Sequence, residues 1–495
     1  MRSTRTVAAI DLGAASGRIA IVAWDGDSLN LSVEHRFNHA PTSRDGILRW
    51  DMPAIQHEID LGLDKVSKTA STVASVGVDT WGVDYGLLGD DGELVDLPTC
   101  YRDPRQVATM HEALESVGAE RLYAATGVQV IPINTVFGLV ADMRSTPSRL
   151  DHAKTLLMMP DVLHHYLCGS TVTEFTAAST TGLYDMATRS WSTELLDALS
   201  IPRHLMPEVV PPGTEVGVLD DAGGALSGAR VIVPSGHDTA SAVVAVPFVD
   251  PGAMFISSGT WSLVGVEIER PIISERSRRA NLTNEGGYDG TTRLLRNVMG
   301  LWILQECRRQ WAKEGCRHTY AEIAELAAHE PGLRSLIAPD ANIFLSPGDM
   351  PARIRLACGQ VGMPVPETVG EVARCVVDSL ALSYLSVAND IHEVTGNRPP
   401  SVNIVGGGAS HALLSQLTAD ATGVPVSCGP VEATALGNAA VQLSALGELG
   451  GLPQIREAIS NISDVVRYEP RSGPDWSEAA ERFARLPRLE PLVSG

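Results

Sequence analysis

Near the start of the chain, apolar residues come in short runs separated by tight polar breaks. Thr6 to Ile10 is mostly apolar and ends at Asp11-Leu12-Gly13. Ile19 to Trp24 is a second run, and Leu29 to Phe37 alternates as a third. This pattern predicts strand, turn, strand, turn, strand. Val73 to Val78 predicts another buried strand, ended by Asp79. Tyr85 to Leu88, followed by Gly89-Asp90-Asp91-Gly92, predicts a local hairpin. From about 105 to 200 the spacing is mainly helical, and the strand Val231–Val233 then runs into Pro234-Ser235-Gly236. A helical run of small residues starts at Thr239, so Asp238 stands at a strand-to-helix junction.

The second half repeats the theme. Ala253 to Ile256, Ser257-Ser258-Gly259-Thr260 and Trp261 to Ile268 read as strand, small-residue turn, strand. Val369 to Val394 places apolar residues three and four apart and meets Gly396, which predicts one long helix. Ser401–Val405 predicts a strand, Gly406-Gly407-Gly408 a close turn, and Ser410–Thr422 and Glu432–Leu446 two helices. Alternating strands and helices make this an α/β chain. The turn cluster Asp250-Pro251-Gly252 divides it into residues 1–248 and 249–495. The end of the chain, after about Pro470, is polar and proline-bearing.

Composition narrows the function. The chain has 495 residues, 44% of them hydrophobic, enough for two large domains. A net charge of -21 disfavours nucleic acid and anionic membranes as partners. It leaves room for an anionic ligand, since a cation and backbone N–H groups can hold phosphates locally. Seven dispersed cysteines without a C-x-x-C pair predict reduced thiols and a cytoplasmic setting. Four apolar residues before Asp11 are too few for a secretory leader, and Pro251–Val266 is too short and broken to span a membrane. The association state stays open between monomer and homodimer.

Five stretches carry candidate chemistry. In Asp11–Arg18 a carboxylate at a strand end precedes Gly13, Ala14, Ala15, Ser16 and Gly17, whose small side chains would let phosphate oxygens reach backbone N–H groups. A plain hairpin reads the same way. Ser257–Trp261 holds the equivalent place in the second half, and two such turns suggest two loops for one phosphate chain. There is no Walker motif and no G-x-G-x-x-G. Val405–Leu414 would let a planar nucleotide approach its glycines closely. Gly408-Ala409-Ser410-His411-Ala412 also resembles a hydrolase nucleophile elbow, but no histidine follows His411 to serve Ser410. In Val76–Gly86, Asp79, Trp81, Gly82 and Asp84 suit a polyhydroxylated ligand, or a core tryptophan with turn aspartates. Asn297 and Gln305 are polar positions beside an apolar helix. Asp238 either caps its helix or serves as a base held rigidly for one bound hydroxyl. His164-His165 lacks partners at ligand spacing and reads as packing.

Taken together, DLGAASGR, HRFNH, GVDTWGVD, MPD at 159–161, SGHDTASAV, SSGTWSL, TNEGG, NVMGLW, ARCVVDSLAL, IVGGG and GPVEATALGN resemble the FGGY carbohydrate kinases of the actin-like ATPase superfamily, over residues 7 to about 445. The resemblance implies two actin-like (ribonuclease H-like) domains flanking a central catalytic cleft. Sugar would be held mainly by the first and ATP mainly by the second. It implies Asp238 as catalytic base, with His237, Thr239, Gly82 and Asn297 on the sugar. Ala14 to Arg18 match the first phosphate loop, Thr260, Gln305 and Gly407 match ATP contacts, and Asp11 matches the acidic residue associated with Mg²⁺. The expected reaction is phosphorylation of a ketose at its C1 hydroxyl, L-rhamnulose first, with L-fuculose or xylulose as alternatives. Related kinases usually carry Ser or Thr where Ala15 stands, so a side-chain hydroxyl contact is not expected there.

Overall fold

The computed structural model describes residues 4–219, 223–473 and 475–487. The chain divides into two compact units. One comprises Met1–Pro247, Glu267–Leu294 and Glu432–Ser463, and the other Phe248–Val266, Leu295–Val431 and Asp464–Gly495. The chain first passes from one unit to the other between Pro247 and Phe248. Two later segments nevertheless pack with the first unit, which a linear division at 248/249 does not capture.

The first unit is built on β1 (Arg5–Leu12), β2 (Ser16–Trp24), β3 (Leu29–Asn38), β4 (Ser75–Thr80), β5 (Glu215–Val218) and β6 (Arg230–Ile232), in the order β5-β6-β4-β1-β2-β3. β1, β2 and β3 are antiparallel neighbours, whereas β4 lies parallel to β1 and β6 parallel to β4. Val7 to Ile10 and all of β4 are buried, as the apolar and small residues Val7–Ile10 and Ser75–Val78 require of strands covered on both faces, with Asp79 and Thr80 as buried polar groups at the end of β4. The helix Ala433–Ala445 covers β1 and β4 and packs on the helix Asp238–Val244. A Cβ on Gly437 would lie 1.8 Å from the Ser241 carbonyl oxygen, so only glycine allows these two helices to meet. The turn after Leu88 closes a short local hairpin, in which Leu88 bridges Leu94 and the Val95 N–H donates to the Leu87 carbonyl at 2.9 Å. Tyr85–Leu88 also pairs antiparallel with the distant strand Thr155–Met158.

The second unit repeats the plan. β7 (Met254–Ser258) and β8 (Trp261–Ile268) are antiparallel, β9 (Thr292–Met299) flanks β8, and β10 (Val402–Val405) lies parallel to β7. β11 (Val426–Cys428) and β12 (Val466–Tyr468) complete that side. The helix Val369–Thr395 starts at a capping box of Thr368 and Glu371 and ends at Gly396, with φ of 78°. It buries Val372, Val376, Leu380 and Tyr384 as its spacing predicts. The polar tail carries a further helix, Trp476–Ala484, capped by Asp475, and residues 488–495 lie outside the described residues. None of the seven cysteines is in a disulfide, and no helix among the described residues is long and apolar enough to cross a membrane.

Candidate active site

Strand register assembles the charged part of the site in the first unit. Asp11 is the last residue but one of β1. Its antiparallel partner is Arg18 and its parallel partner is Asp79. Arg18 donates from Nε to Asp11 Oδ2 at 2.7 Å and from Nη1 to Glu432 Oε2 at 2.7 Å. Asp79 Oδ2 accepts from Asn438 Nδ2 at 2.6 Å, while its Oδ1 is buried without a hydrogen-bond partner. Asn438 is fixed in turn by Gln442, which donates to Asn438 Oδ1 at 2.6 Å and to the Ala8 carbonyl at 3.0 Å. Ser75 completes the ladder by donating to Gln442 Oε1 at 2.7 Å.

Asp238 joins this group because the chain beyond β6 runs beside the end of β4. Thr80 bridges His237, and the Thr80 N–H donates to the Gly236 carbonyl at 2.9 Å. Asp238 is the first helical residue and His237 occupies the cap position without a side-chain bond. The carboxylate is therefore not the cap, although its Oδ1 accepts the Thr239 N–H at 2.5 Å. Its side chain is 27% exposed, in contrast to Asp11 at 1%. Burial raises the pKa of Asp11, Asp79 and Asp238, and in Asp11 and Asp79 the neighbouring carboxylates add to the rise. His237 and the Thr239 hydrogen bonds oppose it at Asp238.

Sequence reasoning passes over the residues that hold this junction. Buried Glu174 accepts from the N–H groups of Thr176, Ala177 and Gly236, the last at 2.8 Å. Thr176 Oγ1 accepts the His237 N–H at 3.1 Å. Burial pushes the Glu174 carboxyl up to about 7. These residues lie some sixty positions from His237 and carry no local pattern that announces the contact.

Trp81 and Asp84 are both buried, as in the core-tryptophan reading of this stretch. Asp84 Oδ2 accepts the indole N–H groups of Trp50 at 2.6 Å and Trp81 at 2.8 Å. The two indoles lie 4.3 Å apart by ring centroid, and His39 stacks on Trp81 at 5.3 Å. With Trp81 only 5% exposed and Asp84 3%, the pair forms a buried wall in which the carboxylate orients two rings. Gly82 stays close to the strand-to-helix junction: a Cβ there would lie 3.2 Å from His237 Nε2.

The first turn is tied at both ends by His39, whose Nε2–H donates to the Gly13 carbonyl at 2.8 Å and whose backbone N–H donates to Ala15 at 3.2 Å. Ala14 and Ala15 are half-buried and Ser16 is exposed. Gly17, expected to leave room for phosphate, instead packs inward, since a Cβ there would lie 2.4 Å from Leu12 and Phe37.

The second unit gathers Thr260, Gln305 and Gly407 around the end of β7. The Gly300 and Trp302 N–H groups donate to the Thr260 carbonyl, and Leu301 N–H donates to Gly259. This joins the turn to the helix Trp302–Lys313, whose residue Gln305 is half-buried. Gly406 (φ of 81°) and Gly408 pack on Ser258, while Gly407 is exposed. Asn297, read as lying beside a helix, sits on β9. His411 caps the helix Ala412–Thr422 through Nδ1, which accepts from Leu414 N–H at 3.2 Å, so it is not a base for Ser410. His164 Nε2 accepts from Val78 N–H, and His165 bonds the Ser170 and Gly92 carbonyls, so both pack as expected.

Two actin-like halves, one rich in carboxylates and the other in glycine and backbone donors, define a sugar kinase. Residues 6–245 match the N-terminal domain of the FGGY family of carbohydrate kinases and residues 254–446 match its C-terminal domain, and the chain belongs to that family. It is 39% identical to a rhamnulokinase of Pectobacterium carotovorum over 498 residues, covering 100% of this chain and 99% of that one. It is 41% identical to a rhamnulokinase of Enterococcus faecalis over 471 residues, 94% of each. Among solved structures, a ligand-bound xylulose kinase from Lactobacillus acidophilus superposes with a TM-score of 0.75 at 17% identity, covering 97% of this chain and 96% of that one. Plasmodium falciparum glycerol kinase with ADP gives 0.74 at 15% identity, covering 98% and 97%.

Proposed function

We propose that this carbohydrate kinase transfers the γ-phosphoryl group of ATP to the C1 hydroxyl of L-rhamnulose, giving L-rhamnulose 1-phosphate and ADP. The observation that carries the reading is identity of 39–41% with rhamnulokinases along essentially the whole chain. The solved xylulose kinase and glycerol kinase named above are 17% and 15% identical.

Asp238 is the general base. Partly exposed and held by the Thr239 N–H, it takes the proton as the C1 oxygen attacks phosphorus and the bond to the departing ADP oxygen breaks. His237, Thr239, Gly82 and Asn297 orient the sugar, and Trp81 and Asp84 stiffen the wall behind it. The first turn, Ala14 to Arg18, contributes backbone donors and one guanidinium to the phosphates. Thr260, Gln305 and Gly407 hold the nucleotide. Such a site works mainly by positioning and by spreading the charge of the transferred group.

Mg²⁺ fits the residues present. Asp11 and Asp79 offer hard oxygen donors, and Asp79 Oδ1 is buried with no other partner. Among the described residues no group of three or more His, Cys, Asp or Glu closes a metal cage, which accords with an ion that keeps waters and phosphate oxygens as its other ligands. Bound with ATP, the ion would offset negative charge on the phosphates. Free cysteines and the use of ATP support a cytoplasmic setting.

The test is a panel of ketoses with ATP, read by the mass of the phosphorylated product and by kcat/KM. L-Rhamnulose is expected to rank first. A higher kcat/KM on L-fuculose or xylulose would reassign the substrate.

A further inference from the structure

Three groups of the first unit converge on Oδ1 of Asp238. They are the Thr239 N–H at 2.5 Å, the Thr239 hydroxyl at 3.2 Å and Nε2 of His237 at 3.4 Å. The third is favourable only when the imidazole proton sits on Nε2. Arg293 decides that. Its Nη2 lies 3.3 Å from His237 Nδ1, and a guanidinium has only donors, so this contact is a hydrogen bond only when Nδ1 presents a lone pair. The proton of the neutral ring then faces Asp238.

Glu285 stands where it can hold Arg293 in place. Its Oε2 is 3.2 Å from Arg293 Nη2 and 3.4 Å from His237 Nδ1. Arg293 Nε donates to the Gly286 carbonyl at 2.8 Å, and the side chain is fully buried. Its Nη1 is buried with no hydrogen-bond partner among the described residues. An unsatisfied buried donor costs stability, so packing alone does not account for an arginine here. With Arg293 removed, each ring nitrogen faces a carboxylate oxygen at 3.4 Å, Asp238 on one side and Glu285 on the other, and nothing fixes the proton on Nε2.

We propose that Arg293, with Glu285 as its counter-charge, is a positioning residue for phosphoryl transfer: it locks His237 as the Nε2–H tautomer, which pins Asp238 by Oδ1 and leaves Oδ2 for the sugar proton. This rests on Asp238 being the base.

The test uses full-length protein with ¹⁵N-labelled histidine, His237→Asn serving to assign the resonance. The wild type is expected to carry the His237 proton on Nε2 alone, and Arg293→Met to lose that single tautomer, with protonation of Nδ1 becoming detectable. In the same variant kcat should fall about 100-fold, the scale of a misplaced reacting group, with KM for ATP unchanged. Arg293→Lys, which keeps a cationic donor, should recover part of kcat. A wild-type proton on Nδ1 overturns the proposal, and so does near-wild-type kcat in a folded Arg293→Met. If Arg293→Met does not fold, Glu285→Gln and the wild-type tautomer decide, unchanged kcat in Glu285→Gln counting against it. Asp238→Asn separates the two readings. Full activity there removes the base itself, whereas inactivity there with an active Arg293→Met removes only the role of Arg293.

Discussion

The turn after β1 and the turn after β7 share one topology and differ in chemistry. Each follows a buried strand, returns antiparallel and has a parallel strand on its other side. In the first unit the register sets Asp11 opposite Arg18 and beside Asp79. In the second it sets Ser258 opposite Ser262 and Ser257 beside Val405, just before three glycines. The same backbone plan thus concentrates ionisable groups at one strand end and removes them from the other. Buried carboxylates are costly to keep charged. They are tolerated in the first unit because Arg18 and the Asn438–Gln442 ladder meet them there.

The comparison is easiest to break at the base. Asp238→Asn should lower kcat by about 1,000-fold, within the range of general-base catalysis, and leave sugar binding in place. Steady-state kinetics and calorimetric titration of the sugar read both, and activity near wild type would remove the charged turn's catalytic part. Next is the support under that turn. Gly437→Ala forces a Cβ against the Ser241 carbonyl, and denaturant unfolding should register a loss of about 3 kcal/mol. The bare turn predicts a smaller effect of the opposite selectivity. A Cβ on Gly408 would lie 2.0 Å from Ser258 Oγ. Gly408→Ala should therefore raise KM for ATP about tenfold, or about 1.4 kcal/mol, while KM for sugar holds. A rise in the sugar constant instead would erase the division of labour.

The smallest expected effect concerns the wall. Burial pushes the Asp84 carboxyl from 3.8 up to about 7, against the two indole hydrogen bonds. Between those values the folded chain holds a proton that the unfolded chain releases. The stability this contributes is full at low pH and is lost as pH rises through about 7. Tm measured against pH should fall across that window in the wild type and less in Asp84→Asn. Parallel curves would show that Asp84 is ionised throughout.

Much of this was legible along the chain. The strand–turn–strand openings of both units, the long helix from Val369 and the junction at Asp238 all appear where hydrophobic period and turn residues place them. What the chain left open shares a cause. Gly17 looks like room for phosphate because smallness is visible in a sequence and its neighbour Phe37, twenty positions on, is not. Asp84 looks like a ligand for hydroxyls, but Trp50 reaches it from another segment. Glu174, Glu285, Arg293 and Gln442 gain their meaning only from partners tens to hundreds of residues away.

By itself the sequence determined the local elements, the α/β class and the residue types at each strand end. Hydrophobic period and turn chemistry act over a few residues and can be read there. Tertiary structure decided which carboxylate is exposed, which is an acceptor for buried donors and which stands beside another. Those outcomes depend on strand register and on the burial of groups far apart in the chain. Asp11, Asp79, Asp84 and Asp238 are four aspartates in sequence. Packing alone makes them a neighbouring pair beside Arg18, a brace for two indoles and a partly exposed carboxylate at a helix start.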